Sequence, residues 1–141
     1  MKRKGSAIWK GGIKDGRGSI STDSGVLANT QYSFAARFEN GVGTNPEELI
    51  AAAHSGCFSM ALSGQLGAAG LTAENISTQA TVTIEKAADG FAITAVHLEV
   101  KAKVPGATAQ AFNSAATAAK EGCPVSKVLN ARITMDALLE S

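Results

Sequence analysis

The spacing of apolar and polar positions changes period several times along the chain, and each change marks an element. Residues 6–10 and 18–22 read as short extended runs, separated by glycine clusters at Gly11-Gly12 and Gly16 to Gly18 that suit turns. A third run, residues 26–39, alternates Tyr32, Phe34, Ala36 and Phe38 with Gln31, Ser33, Ala35 and Arg37. That period of two predicts a strand with Arg37 facing away from the aromatic row. From Thr44 the pattern changes to "TNPEELIAAAHSGCFSMAL". Asn45 is a strong N-cap, Pro46 suits the first helical position, and Glu47 and Glu48 complement the positive end of the helix dipole. Residues 51–66 are apolar or small on nearly every face, which predicts a central helix buried all round and ending near Gly67 or Gly70.

Beyond it, residues 76–86 and 91–104 flank the turn sequence "AADG" and predict a hairpin. Phe91 and Ile93 fall on one parity and Val96, Leu98, Val100, Ala102 and Val104 on the other, so a bulge between Thr94 and Val96 is needed to keep both sets inside. The same count points His97 outward. Residues 107–122 form a helix of mostly small residues ended by Gly122. Pro124 opens another short helix, and residues 131–140 close the chain as a strand. The order predicts an α+β fold, an antiparallel sheet packed against a long central helix, in a single domain over residues 1–141.

Composition narrows the function. A formal charge of +1 supplies no basic stripe for nucleic acid. No run approaches the roughly twenty apolar residues of a membrane span, and the "MKRK" start lacks the apolar stretch of a signal peptide, so a cytoplasmic protein is expected. In a reducing compartment two cysteines leave redox chemistry, metal binding or plain packing. Cys57, Cys123, His54 and His97 have no metal-site spacing, and no metal or other cofactor is expected. Cys57 lies mid-helix, where an unpaired cysteine often packs as a small hydrophobe. Cys123 lies beside the N-cap of the Pro124 helix, where free N–H groups favour a thiolate. Two such residues could work together, one forming a sulfenic acid and the other condensing with it. His54, three residues before Cys57, could instead be the base of a thiol hydrolase or acyltransferase, or a satisfied core residue.

"GTNPEELIAAAHSGCFSMALS", "EGCPVSKVL" and "DGFAITAV" resemble, in the same order, the osmotically inducible protein C (OsmC) family of the OsmC/Ohr peroxidases. The resemblance implies an intertwined homodimer with active sites at the subunit interface. It also implies reduction of organic hydroperoxides with electrons from a dithiol reductant. Carried over by motif, Cys57 is the attacking cysteine, Cys123 the resolving one, and Glu47 the partner of an active-site arginine. In the organic-hydroperoxide-resistance (Ohr) branch that arginine follows a Gly-Gly pair, where this chain has Ile13. In the namesake branch it precedes "GTNPEE", which Arg37 matches. One guanidinium serving both Glu47 and Cys57 requires the intervening helix to break, and Ser55-Gly56 is its weakest link. Against this reading stands a stress-induced binding or structural protein with inert cysteines.

Overall fold

The computed structural model describes residues 1–141, which divide into two compact units, Met1–Leu49 and Ile50–Ser141. In the first, strands β1 (Gly5–Lys10), β2 (Arg17–Thr22) and β3 (Thr30–Tyr32) form an antiparallel sheet in that order. The single strand expected over 26–39 is not present: only Thr30–Tyr32 is extended, and Phe34–Phe38 forms a short helix, α1. Ser33 caps it, its Oγ accepting the Ala36 N–H at 3.1 Å. Phe34 and Phe38 are four apart, so a helical turn brings their rings to 4.9 Å between centroids, an aromatic contact that an extended chain would forgo. Arg37 therefore does not face away from the aromatics, and its guanidinium lies 5.1 Å from the Phe38 ring centre. After α1 the chain returns through Gly43, whose φ of +115° and contact with the Gln31 carbonyl leave no room for a side chain. Thr44 then bridges to Tyr32.

Helix α2 (Pro46–Ala68) starts as its sequence dictates, with Asn45 Oδ1 accepting the Glu48 N–H at 2.8 Å and Asn45 Nδ2 donating to the Ala36 carbonyl at 3.0 Å. It ends in a Schellman motif: Gly70, at φ +77°, donates to the Gly67 carbonyl and Leu71 to that of Leu66. The helix runs unbroken through Ser55 and Gly56, contrary to the expected interruption. Weak propensity at two residues is tolerated when the turns on either side are well formed, because helix formation is cooperative. Nor is α2 buried all round within one chain. His54, Phe58, Leu62 and Leu66 are inaccessible, whereas Ala53, Gly56, Met60, Gly64 and Gly67 lie exposed.

In the second unit, β4 (Asn75–Ala87) and β5 (Gly90–Lys103) form the hairpin, and β6 (Arg132–Glu140) pairs with β5 in parallel, giving the order β4-β5-β6. The antiparallel pairing expected of the fold holds in the first sheet and in this hairpin; the last strand joins β5 in the opposite sense. Thr83 pairs with Ala95 and Ile84 with Ile93, leaving Thr94 as the extra residue of the bulge. Val96, Leu98, Val100 and Ala102 are consequently all buried on the face that packs with Phe58, Leu62 and Leu66 of α2 and with Phe112, Ala115, Ala116 and Ala119 of α3 (Ala109–Gly122). Thr108 caps α3, its Oγ1 accepting the Ala111 N–H at 3.1 Å. A last short helix, α4 (Pro124–Val128), begins immediately after Cys123. His97 lies on the other face, with Nδ1 2.6 Å from Thr134 Oγ1 and Nε2 3.1 Å from Asp136 Oδ2.

Candidate active site

The four residues singled out in the sequence form two pairs, one in each unit. In the first, Arg37 donates from Nε and Nη2 to Glu47 at 2.9 and 2.8 Å, a forked pair that fixes the guanidinium plane. Glu47 is 7% exposed, and the Arg37 side chain keeps 38% of its surface open. One edge of the guanidinium is thus committed to the carboxylate while the remaining amino group stays free to meet an anion. Arg37 also lines a cleft of about 210 Å³ formed with Trp9, Ile13, Tyr32, Phe34 and Phe38. Trp9 and Tyr32 have ring centres 5.4 Å apart there. A cation at the rim of an aromatic cleft suits a molecule with an apolar body and a polar, ionising end. Glu48, expected to serve only as a first-turn charge, also accepts the Thr44 hydroxyl at 2.7 Å.

The second pair is Cys57 and Cys123, sixty-six positions apart in sequence and brought together as free thiols joined by a hydrogen bond. The fold achieves this because Phe58, beside Cys57 on α2, and Ala119, one turn before Cys123 on α3, share the same core. Cys57 is partly accessible; Cys123 is fully buried. Burial pushes the Cys57 thiol up, and donation of its proton to Cys123 pushes it further, against a weaker opposing bond from the Val125 N–H. Burial also raises Cys123, but bonds from the Cys57 thiol, the Ser126 and Val125 N–H groups and the Ser126 side chain outweigh it and bring Cys123 down. Of the two sulfurs, Cys123 is therefore the one whose ionisation the surroundings favour, and Cys57 the one that holds its proton more firmly. Because α2 is unbroken, Cys57 has no helix start beside it and no free N–H groups from one to lower its thiol pKa.

His54 is fully buried, and its Nε2 lies 2.7 Å from Ser126 Oγ. Its bond goes to Ser126 of α4 and not to Cys57, so the base needed for a Cys-His hydrolase is turned to another partner. Burial lowers its pKa and keeps the ring neutral. Sequence reasoning missed Ser126, whose place two residues into the helix after Cys123 was the available signal. No group of three histidine, cysteine or acidic side chains is arranged to hold a metal ion.

A family model described as OsmC-like protein matches residues 38–137. The chain is 53% identical over 141 residues to peroxiredoxin OsmC of Escherichia coli (strain K12), covering 100% of this chain and 99% of that one. An organic hydroperoxide resistance protein from Elizabethkingia anophelis, solved with thiocyanate from the crystallant, superposes with a TM-score of 0.69 at 26% identity, over 99% of each chain. An OsmC-like protein from Mycoplasma pneumoniae shares the fold at a TM-score of 0.77 and 14% identity, over 100% of this chain and 99% of that one. The chain belongs to the OsmC-like protein family.

Proposed function

We propose that this protein is a thiol-dependent peroxidase that reduces organic hydroperoxides to alcohols in stress defence. In this reading Cys57 is oxidised to a sulfenic acid, Cys123 resolves it, and a dithiol reopens the disulfide. The observation that carries it is the hydrogen bond between an accessible thiol and a buried one from distant parts of the chain. Inert cysteines have no need to meet, whereas a resolving cysteine must lie beside the sulfur it attacks. The name of the Escherichia coli relative points the same way.

The chemistry follows from the proton the two sulfurs share. For Cys57 to attack, that proton passes to Cys123, and the Cys57 electron pair takes the outer peroxide oxygen. The alkoxide that departs is protonated, in this reading by Cys123, which is thereby left as the thiolate for the next step. A guanidinium favours both the attacking thiolate and the developing alkoxide. Glu47 and Cys57 are ten residues apart on one unbroken helix, about 15 Å of rise, so a guanidinium held on Glu47 cannot also sit on that Cys57 sulfur. The cation serving each Cys57 is therefore assigned to Arg37 of the partner subunit in a homodimer. The exposed stripe Ala53, Gly56, Met60, Gly64 and Gly67 is consistent with such a dimer: Met60 is 79% exposed in one chain and its small neighbours permit close approach. The aromatic cleft beside Arg37 would receive the organic part of the peroxide, and reducing conditions in the cytoplasm would keep both thiols ready.

The test is multiple-turnover consumption of cumyl hydroperoxide and hydrogen peroxide with a dithiol donor. The wild type should consume the organic peroxide faster. Cys123→Ser should retain one rapid turnover per chain and lose the rest. A Cys123→Ser protein that cycles like wild type would remove the two-cysteine reading.

A further inference from the structure

We propose that Ser126 and His54 are positioning residues that hold negative charge on Cys123 for its attack on the Cys57 sulfenic acid, an inference that rests on the two-cysteine reading above. His54 Nε2, Ser126 Oγ and the sulfurs of Cys123 and Cys57 form one continuous line of hydrogen bonds across α2, α4 and the loop between α3 and α4. None of it belongs to the arginine pair.

The direction of the protons follows from one atom. His54 Nδ1 is buried and has no hydrogen-bond partner. A neutral imidazole carries one proton, and leaving it on Nδ1 would strand a buried donor, whereas an empty acceptor there is the better tolerated state. The proton therefore sits on Nε2, and His54 donates to Ser126 Oγ. With that lone pair occupied from behind, the Ser126 hydroxyl turns its own hydrogen to Cys123. A sulfur receiving this hydroxyl and the N–H groups of Val125 and Ser126 is arranged to be an anion. With the Cys57 thiol these make four donors around a fully buried sulfur, none of them carrying a formal positive charge.

In the step this prepares, the Cys123 thiolate supplies the electron pair of the new S–S bond and the S–O bond of the Cys57 sulfenic acid breaks. Hydroxide leaves and takes a proton from solvent as water. Cys123 is oxidised and the Cys57 sulfur reduced. Ser126 and His54 change no protonation state; they only hold the charge. Their effect on the preceding step is opposite, because an anion favoured at Cys123 keeps the shared proton on Cys57, where it hinders attack on peroxide. A group that only props up the fold would slow both steps together.

Single-turnover mixing of reduced 141-residue protein with cumyl hydroperoxide separates the steps. Sulfenic acid at Cys57 is followed by trapping with dimedone and disulfide by mass spectrometry of quenched samples. Ser126→Ala should leave sulfenic acid formation as fast as wild type or faster and slow disulfide formation roughly tenfold, the usual scale for a hydrogen bond to a charged group. Dimedone adduct and sulfinic acid should accumulate. Ser126→Thr, which keeps the hydroxyl, should restore the rate. His54→Gln, whose amide N–H can stand for Nε2, should stay near wild type, and His54→Leu should behave like Ser126→Ala. Disulfide formation at the wild-type rate in Ser126→Ala, or equal slowing of both steps, overturns the proposal. If the wild type forms no disulfide with peroxide, the two-cysteine reading itself falls, a result that the variants could not mimic.

Discussion

The two units carry charge by different means. In Met1–Leu49, a full cation is pinned by a full anion: Arg37 and Glu47 form a forked pair, one member buried and the other open. In Ile50–Ser141, thiol, hydroxyl and backbone N–H donors, all of them neutral, favour ionisation of Cys123 against its burial. The first unit has no cysteine and the second pair has no cation beside it among its hydrogen-bond partners. Each arrangement suits its task. A formal charge acts over several ångströms and can serve a sulfur that arrives from elsewhere, whereas neutral donors act only in contact and can discriminate between two adjacent sulfurs.

Removing the cation should break this comparison most visibly. Arg37→Ala is expected to slow oxidation of Cys57 by about a hundredfold or more in stopped-flow mixing with organic peroxide, the scale for losing one charged donor to a developing anion. Arg37→Lys should also be impaired, because an ammonium cannot keep both the fork to Glu47 and a contact with the anion. Wild-type rates in Arg37→Ala would confine the chemistry to the second unit.

A smaller effect, roughly tenfold, is expected from Glu47→Gln, which keeps the shape and loses the charge-assisted fork. The sign sharpens the comparison. Slower oxidation means that the carboxylate chiefly positions Arg37; faster oxidation would mean that it chiefly neutralises the arginine's field.

The smallest effect concerns stability. Burial lowers the His54 pKa from its usual 6.5, so the unfolded chain takes up this proton at a higher pH than the folded one. The contribution of neutral His54 is complete above about 6.5 and is lost as pH falls from there toward the folded value. Urea midpoints measured between pH 7.5 and 5.5 should decline, and His54→Gln should lessen the decline. An equal decline in that variant would place the sensitivity elsewhere.

Elements whose signals are local were legible in the sequence. Asn45-Pro46 started α2, and the parity change in β5 required the bulge found at Thr94. Segment 30–38 was not, because over so few residues Tyr32, Phe34, Ala36 and Phe38 satisfy a period of two while Phe34 and Phe38 also satisfy a helical turn; the cap at Ser33 decides between them. The faces of α2 were obscured by alanine, glycine and serine, which do not distinguish inside from outside. Strand direction leaves no mark on alternation, so the parallel pairing of β6 was invisible. Of the site, residue types and motif order identified Cys57, Cys123, Arg37 and Glu47 as candidates. The Arg37–Glu47 fork and the meeting of the two thiols needed the fold. So did His54 and Ser126, seventy-two positions apart and linked only by the packing of α2 near α4.

The unpaired residue at Thr94 has a consequence for how this chain can change. It divides β5 into two stretches whose inside and outside are reckoned independently, like two gears joined by a clutch. Loss of Thr94 would merge them into one regular strand with Ile93 still opposite Ile84, and Ala95 through Lys103 would keep their pairing with β6. An insertion or deletion in the hairpin tip need not propagate into the strand that forms the floor of the core. The tip is free to vary in length, and the wall behind the two cysteines is not.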